Sequence, residues 1–95
     1  MTAALGVLTL ELRIDGAHSL KDKRQVLRAL KDRLRKRFNV SVAETAYQDS
    51  WKHGVVSVAA IASDRTYVES VLTRAEEEAA EMLGGDLTES HVELL

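Results

Sequence analysis

Leu8, Leu10, Leu12 and Ile14 alternate with Thr9, Glu11 and Arg13, a period of two that predicts a half-buried strand over about residues 5 to 14. After Asp15, Gly16 and Ala17 the period changes. Leu20, Val26, Leu27, Leu30, Leu34 and Phe38 fall on one face at about 100° per residue, which predicts a helix from Leu20 to near Arg37. Ser19, three residues before Asp22, approximates a capping box, and Asn39 supplies a stop. Val40, Val42 and Glu44 then alternate with Ser41, Ala43 and Thr45 in a second strand. The polar stretch Gln48 to Lys52 turns the chain into a third strand, Val55 to Ala62, forming a hairpin without a glycine at its turn. Val56, Val58 and Ala60 face one side of that strand and Val55, Ala59 and Ile61 the other, so it belongs in the interior of a sheet. Ser63 or Asp64 caps a second helix with the apolar stripe Val68, Val71, Leu72, Ala75, Ala79, Met82 and Leu83, which Gly84 and Gly85 end. Asp86 to Leu95 reads as a last strand.

The order is β-α-β-β-α-β. Two right-handed crossovers on one sheet give an α+β, ferredoxin-like sandwich with an antiparallel sheet in the order 4-1-3-2 and both helices on one face. Residues 1–95 are expected to form one domain. Many unrelated activities use this architecture, so function has to be sought in the side chains.

The absence of Cys excludes a disulfide framework, a thiolate nucleophile and a cysteine zinc site. With no 18-residue apolar run and no leader-like start, a cytoplasmic protein without membrane contact is the expectation. Charge is more informative than composition. Nine of the thirteen Lys and Arg residues lie between Lys21 and Arg37, against Asp22 and Asp32, whereas residues 64 to 95 hold nine carboxylates against Arg65 and Arg74. The formal net charge of −2 therefore hides two opposed blocks.

On the first helix Lys21, Arg24, Arg28, Lys31 and Arg35 form a stripe about one quarter-turn from the apolar centre. A right-handed crossover places that stripe beside the second strand and away from the second helix. It is the expected nucleic-acid-binding surface, although exposed helix faces are also rich in Lys and Arg for solubility alone. Five phosphate contacts to a single strand would give a log-log salt slope of about −3.5. Arg33, on the opposite flank, is expected to face Glu78 and Glu81. Lys23 falls inside the apolar face and is expected to snorkel out at the first turn, the alternatives being an anion held near the Asp15 to His18 loop or a pairing with a carboxylate. Tyr47 and Trp51 flank the hairpin turn, where they pack under the loop or serve as contact points.

Enzyme chemistry finds no support. His18, His53 and His91 sit on separate elements without metal-ligand spacing, no serine occupies a nucleophile elbow, and the first β-α connection has only Gly16 for cradling a phosphate. No catalytic residue, metal or cofactor is expected. RNA-recognition domains of this topology stack bases on aromatics of the open sheet face, but Val7, Thr9 and Glu11 stand there instead, with Ser57 and Ala59 or with Val55 and Ile61. That face is mildly apolar, which suggests a homodimer covering it.

The segments from Ser19 to Arg24, Arg33 to Glu44, Gln48 to Trp51 and Glu69 to Leu72 strongly resemble the YlxP-like family of small bacterial proteins, and the likeness spans nearly the whole chain. The resemblance implies a ferredoxin-like domain of unknown function in a translation-linked setting, with no catalytic residues to carry over. The leading expectation is a non-enzymatic accessory protein touching ribosomal RNA or a ribosomal subunit through Lys21, Arg24, Arg28, Lys31 and Arg35. The alternative is a dimeric regulatory module that binds a protein or small ligand at its subunit interface.

Overall fold

A computed structural model describes residues 3–95; the first two residues of the expected domain lie outside the described range. The elements are β1 (Ala4–Arg13), α1 (Leu20–Arg37), β2 (Ser41–Ala46), β3 (His53–Ala62), α2 (Arg65–Leu83) and β4 (Leu87–Leu94), with a single 3-10 turn at Gly84–Asp86 between the last two. The sheet order is β2-β3-β1-β4 with every neighbouring pair antiparallel. This is the expected ferredoxin-like topology, and β3 lies inside the sheet as its two apolar faces require.

Local chemistry accounts for the helix ends. The Ser19 hydroxyl accepts from the Asp22 N–H at 3.1 Å, and the Asp22 carboxylate accepts from the His18 N–H at 2.9 Å. Asp22 thus bonds the N–H of the residue before the cap, where the Glu of a capping box would bond that of the cap itself. At the start of α2 the cap is Asp64, accepting from Thr66 N–H at 3.1 Å. Gly84 ends α2 with φ of +55°, a conformation that glycine adopts without steric cost.

The core lies between the helices and one sheet face. Leu8, Leu10, Leu12, Val42, Val56, Val58 and Ala60 from the strands meet Leu27, Leu30, Leu34, Val68, Val71, Leu72, Ala75 and Ala79 from the helices, all of them buried. Gly6 allows α2 to come this close to β1. A β-carbon built there would lie 2.7 Å from Leu72 Cδ1 and 3.0 Å from Val68 Cγ1.

Two register shifts interrupt the sheet at its same end, between Glu44 and Ala46 on β2 and opposite Glu11 and Leu12 on β1. Each adds one unpaired residue, Thr45 and Thr88, and bends its edge strand. The other sheet face is uncovered and zoned. Leu5 and Ile61 are register partners and both exposed, and the Leu95 N–H donates to the Leu5 carbonyl. Apolar groups therefore gather at one end, while Glu11, Glu89, Arg13 and His53 occupy the other.

Gly6→Ala should cost about 1–3 kcal/mol of stability through overpacking against Leu72. Gly16→Ala, where a β-carbon would meet nothing within 4 Å, serves as the control. Urea denaturation of both variants checks this, and equal midpoints would contradict the close approach of α2.

A candidate basic groove and its buried lysine latch

The basic stripe lands where the crossover predicts. Arg24, Arg28, Lys31 and Arg35, together with Leu27, Asp32 and Glu44, line a groove of about 340 Å³ between α1 and the β2 edge. Lys21 is exposed one turn earlier on the helix and is not part of the lining. Among the described residues, none of the ion pairs within 4.0 Å involves Lys21, Arg24, Arg28 or Lys31. These four cations are free for an external anion. Arg35 differs, because its Nη2 donates to the Val42 carbonyl at 2.9 Å. It satisfies an acceptor of β2, an edge strand whose outer backbone groups have no neighbouring strand.

The opposite flank of α1 is spent on the fold. Arg33 Nε donates to Glu78 Oε1 at 2.6 Å and its Nη2 reaches Glu81 at 3.5 Å, while Arg37 Nε lies 3.2 Å from the same Glu78 oxygen. Hydrogen bonding to Glu78 is the first cause of the raised Arg33 pKa. Four of the residues counted in the opposed charge blocks are consumed at this helix-helix contact.

Lys23 does not snorkel. Its side chain is 1% exposed, and Nζ donates to the carbonyls of Tyr47 at 2.6 Å and Ser50 at 2.7 Å. Its third neighbour is Glu44 Oε2 at 2.8 Å, off hydrogen-bond alignment, so that this contact is ionic. The expectation of snorkelling fails because a carboxylate and two carbonyls receive the ammonium inside the protein, replacing the water it gives up. Pairing with a carboxylate is the alternative that holds, and the partner loop is the hairpin rather than residues 15 to 18.

Glu44 and Gly54 complete the arrangement without belonging to any motif in the sequence, yet each carries a signal. Glu44 shares strand parity with buried Val42, which makes it the carboxylate that β2 turns inward to meet the lysine on the core face of α1. Gly54 stands at the buried parity of β3, where a β-carbon would lie 3.3 Å from Lys23 Cε. The missing side chain leaves room for the lysine stem.

The latched hairpin is hydrogen-bonded on both sides of Trp51. Ser50 N–H donates to the Tyr47 carbonyl at 3.0 Å, His53 N–H to Ser50 Oγ at 3.1 Å, and Ile14 N–H to the Lys52 carbonyl at 2.7 Å. Tyr47 adopts φ of +61°, strained for a residue with a side chain. Its carbonyl accepts bonds from both Lys23 and Ser50, which hold it there. The aromatic rings do not pack beneath the loop. Tyr47 is 56% and Trp51 53% exposed, and the Tyr47 ring stands edge-on to His53 with centroids 5.8 Å apart.

On the uncovered sheet face Glu11 and Glu89 are direct cross-strand partners. The Glu11 carboxyl is held above its ordinary value of 4.5, first by a hydrogen bond with the Glu89 side chain and then by repulsion from its charge. Among the described residues no group of three or more His, Asp or Glu side chains gathers as a metal site, and no helix is long and apolar enough to cross a membrane.

Removing the Lys23 amine should leave Glu44 without its cation, the Ser50 carbonyl without its donor and the Tyr47 carbonyl with the Ser50 N–H alone. Lys23→Met is expected to cost about 3 kcal/mol. Glu44→Gln keeps the two carbonyl bonds and should cost about 1–2 kcal/mol, and the double variant should lose less than the sum of the two. A double-mutant cycle by chemical denaturation measures this, and strict additivity would deny the pair. For Glu11 the folded state binds its proton more tightly than the unfolded chain does. That contribution is complete below the ordinary carboxylate value and is lost as pH rises through the raised one. Glu11→Gln should accordingly raise the thermal midpoint at pH 7, with the gain shrinking as the pH falls into the carboxylate range.

Comparison with known proteins follows the same lines as the fold. Residues 5–92 match the family described as "Protein of unknown function (DUF503)". The "Uncharacterized protein YlxP" of Bacillus subtilis (strain 168) is 40% identical over 70 residues, covering 74% of this chain and 76% of that protein. Among solved structures, the de novo designed protein Foldit4 superposes with a TM-score of 0.62 at 13% identity, covering 98% of this chain and 96% of its own. A C-terminal segment of the alpha subunit of aIF2 from Pyrococcus abyssi gives 0.56 at 18% identity, covering 100% of this chain and 51% of that one. Likenesses this low in identity speak for the fold alone.

Proposed function

The chain belongs to the YlxP-like family, the proteins of unknown function described as DUF503, and from that premise we propose that it is a non-enzymatic accessory protein contacting RNA phosphates through the α1 groove. The observation that carries this reading is the set of free cations on one side of one helix. Arg24, Arg28 and Lys31 face the groove without carboxylate partners, and Lys21 extends the row. A helix rises about 1.5 Å per residue, so cations three and four residues apart recur about every 5 Å along its axis. Such a row suits a run of backbone phosphates better than a single small anion. Base-reading groups are lacking, so recognition rests on phosphate positions and shape. The translation-linked setting, with ribosomal RNA or a ribosomal subunit as partner in the cytoplasm, rests on the family resemblance.

A second reading is favoured by the exposed Leu5, Ile61 and Leu95 at one end of the uncovered sheet face. There a second copy would bury them, in a dimeric module whose ligand sits at the subunit interface. Light scattering that finds a monomer throughout the micromolar range would dismiss it.

With Arg35 engaged by β2, four cations remain for phosphates. The log-log salt slope for a single-stranded ligand should then be about −2.8. The triple charge reversal Arg24→Glu, Arg28→Glu and Lys31→Glu should abolish co-sedimentation with ribosomal particles at low salt while leaving the unfolding midpoint near that of the parent. Binding that ignores both salt and the reversal would refute the phosphate reading.

A further inference from the structure

The wall of the groove is tied to the hairpin that carries Trp51. Glu44 lines the groove and also meets Lys23 Nζ at 2.8 Å. The same ammonium holds the carbonyls of Tyr47 and Ser50. Trp51 follows Ser50 directly and is 53% exposed, so one buried amine ties the groove wall at Glu44 to the backbone beside the indole.

Leaving an indole in water forgoes the apolar burial that it would supply elsewhere. Here it is also carried on fixed backbone. The carbonyls on either side of it are both bonded, Ser50 to Lys23 at 2.7 Å and Lys52 to the Ile14 N–H at 2.7 Å. With the backbone bonded before binding, little more than the two side-chain torsions of the indole is left to be ordered when a ligand stacks on it. Tyr47 is occupied differently, its ring leaning on His53 beside the uncovered sheet face.

Resting on the phosphate reading above, we propose that the ligand of the groove is a single-stranded polynucleotide whose backbone follows Arg24, Arg28 and Lys31 and whose unpaired base stacks on Trp51. A positive groove with an aromatic platform is the recurrent means of holding unpaired strands. A duplex keeps its bases stacked inside and offers the indole only phosphates and sugars. Phosphate contacts and stacking are both indifferent to base identity, so the binding tolerates sequence and favours strands whose bases stack well.

Trp51 is the protein's one tryptophan, which makes its emission a direct readout. A labelled single strand of ~10 nucleotides and the blunt duplex of the same sequence are titrated by anisotropy into the full chain at low salt, with indole emission followed in parallel. The single strand should quench Trp51 and bind more tightly than the duplex. Trp51→Ala should weaken the single strand roughly 5- to 100-fold, the equivalent of one lost stack, with little change for the duplex, and Trp51→Phe should recover most of the loss. An unchanged unfolding midpoint confirms that Trp51→Ala is folded. If the single strand binds with unchanged emission and Trp51→Ala binds as the parent does, the stacking inference falls and the phosphate reading stands. If neither nucleic acid binds at low salt, the phosphate reading falls and takes the inference with it.

Discussion

A lysine ammonium buried among a carboxylate and two carbonyls ties together the parts of this protein that hydrophobic packing leaves loose. The Lys23 stem passes through the apolar face of α1, and its head is satisfied by Glu44 of β2 and by Tyr47 and Ser50 of the hairpin. Burying such a charge costs several kcal/mol unless its partners are in place. The cost therefore discriminates between hairpin conformations, because a loop that turns its carbonyls elsewhere leaves the ammonium stranded. The positive φ of Tyr47, the bulge at Thr45 and the missing side chain of Gly54 are local irregularities around that one requirement.

The latch also explains how one helix serves two purposes. α1 carries nine cations, and their angular positions give them separate fates. Arg33 and Arg37 neutralise Glu78 at the α2 contact, Lys23 organises the hairpin, and Arg35 closes an open carbonyl of the β2 edge. On the β2 side Lys21, Arg24, Arg28 and Lys31 remain without ion pairs among the described residues. A high local charge density thus overstates the free positive surface, since part of it is internal electrostatics. The remaining row gains meaning from its neighbours, because the latch sets one wall of the groove and ties it to the hairpin.

The uncovered sheet face follows a different logic. Apolar Leu5 and Ile61 at one end and the Glu11–Glu89 pair at the other are set by strand register, which brings like residues opposite each other without regard to local preference. Two carboxylates facing one another raise the energy of the folded state at neutral pH, a small penalty carried at the end of the sheet where β4 is bent by its bulge.

Hydrophobic periodicity determined the six elements and their order, because core burial acts on every third, fourth or second residue and leaves its mark along the chain, and crossover handedness then determined the sheet order. The placement of the basic stripe beside β2, and of Arg33 towards α2, followed from helix geometry and crossover handedness. What the sequence did not disclose was set by distance across the fold. Lys23 and Glu44 lie 21 positions apart, and neither residue type reveals whether the other waits at the same depth. The conformation of the hairpin, the diversion of Arg35 to a backbone carbonyl and the exposure of Trp51 are decided by where a few polar atoms meet after the core has formed. Those meetings are pairwise and directional, and unlike burial they have no period to be read.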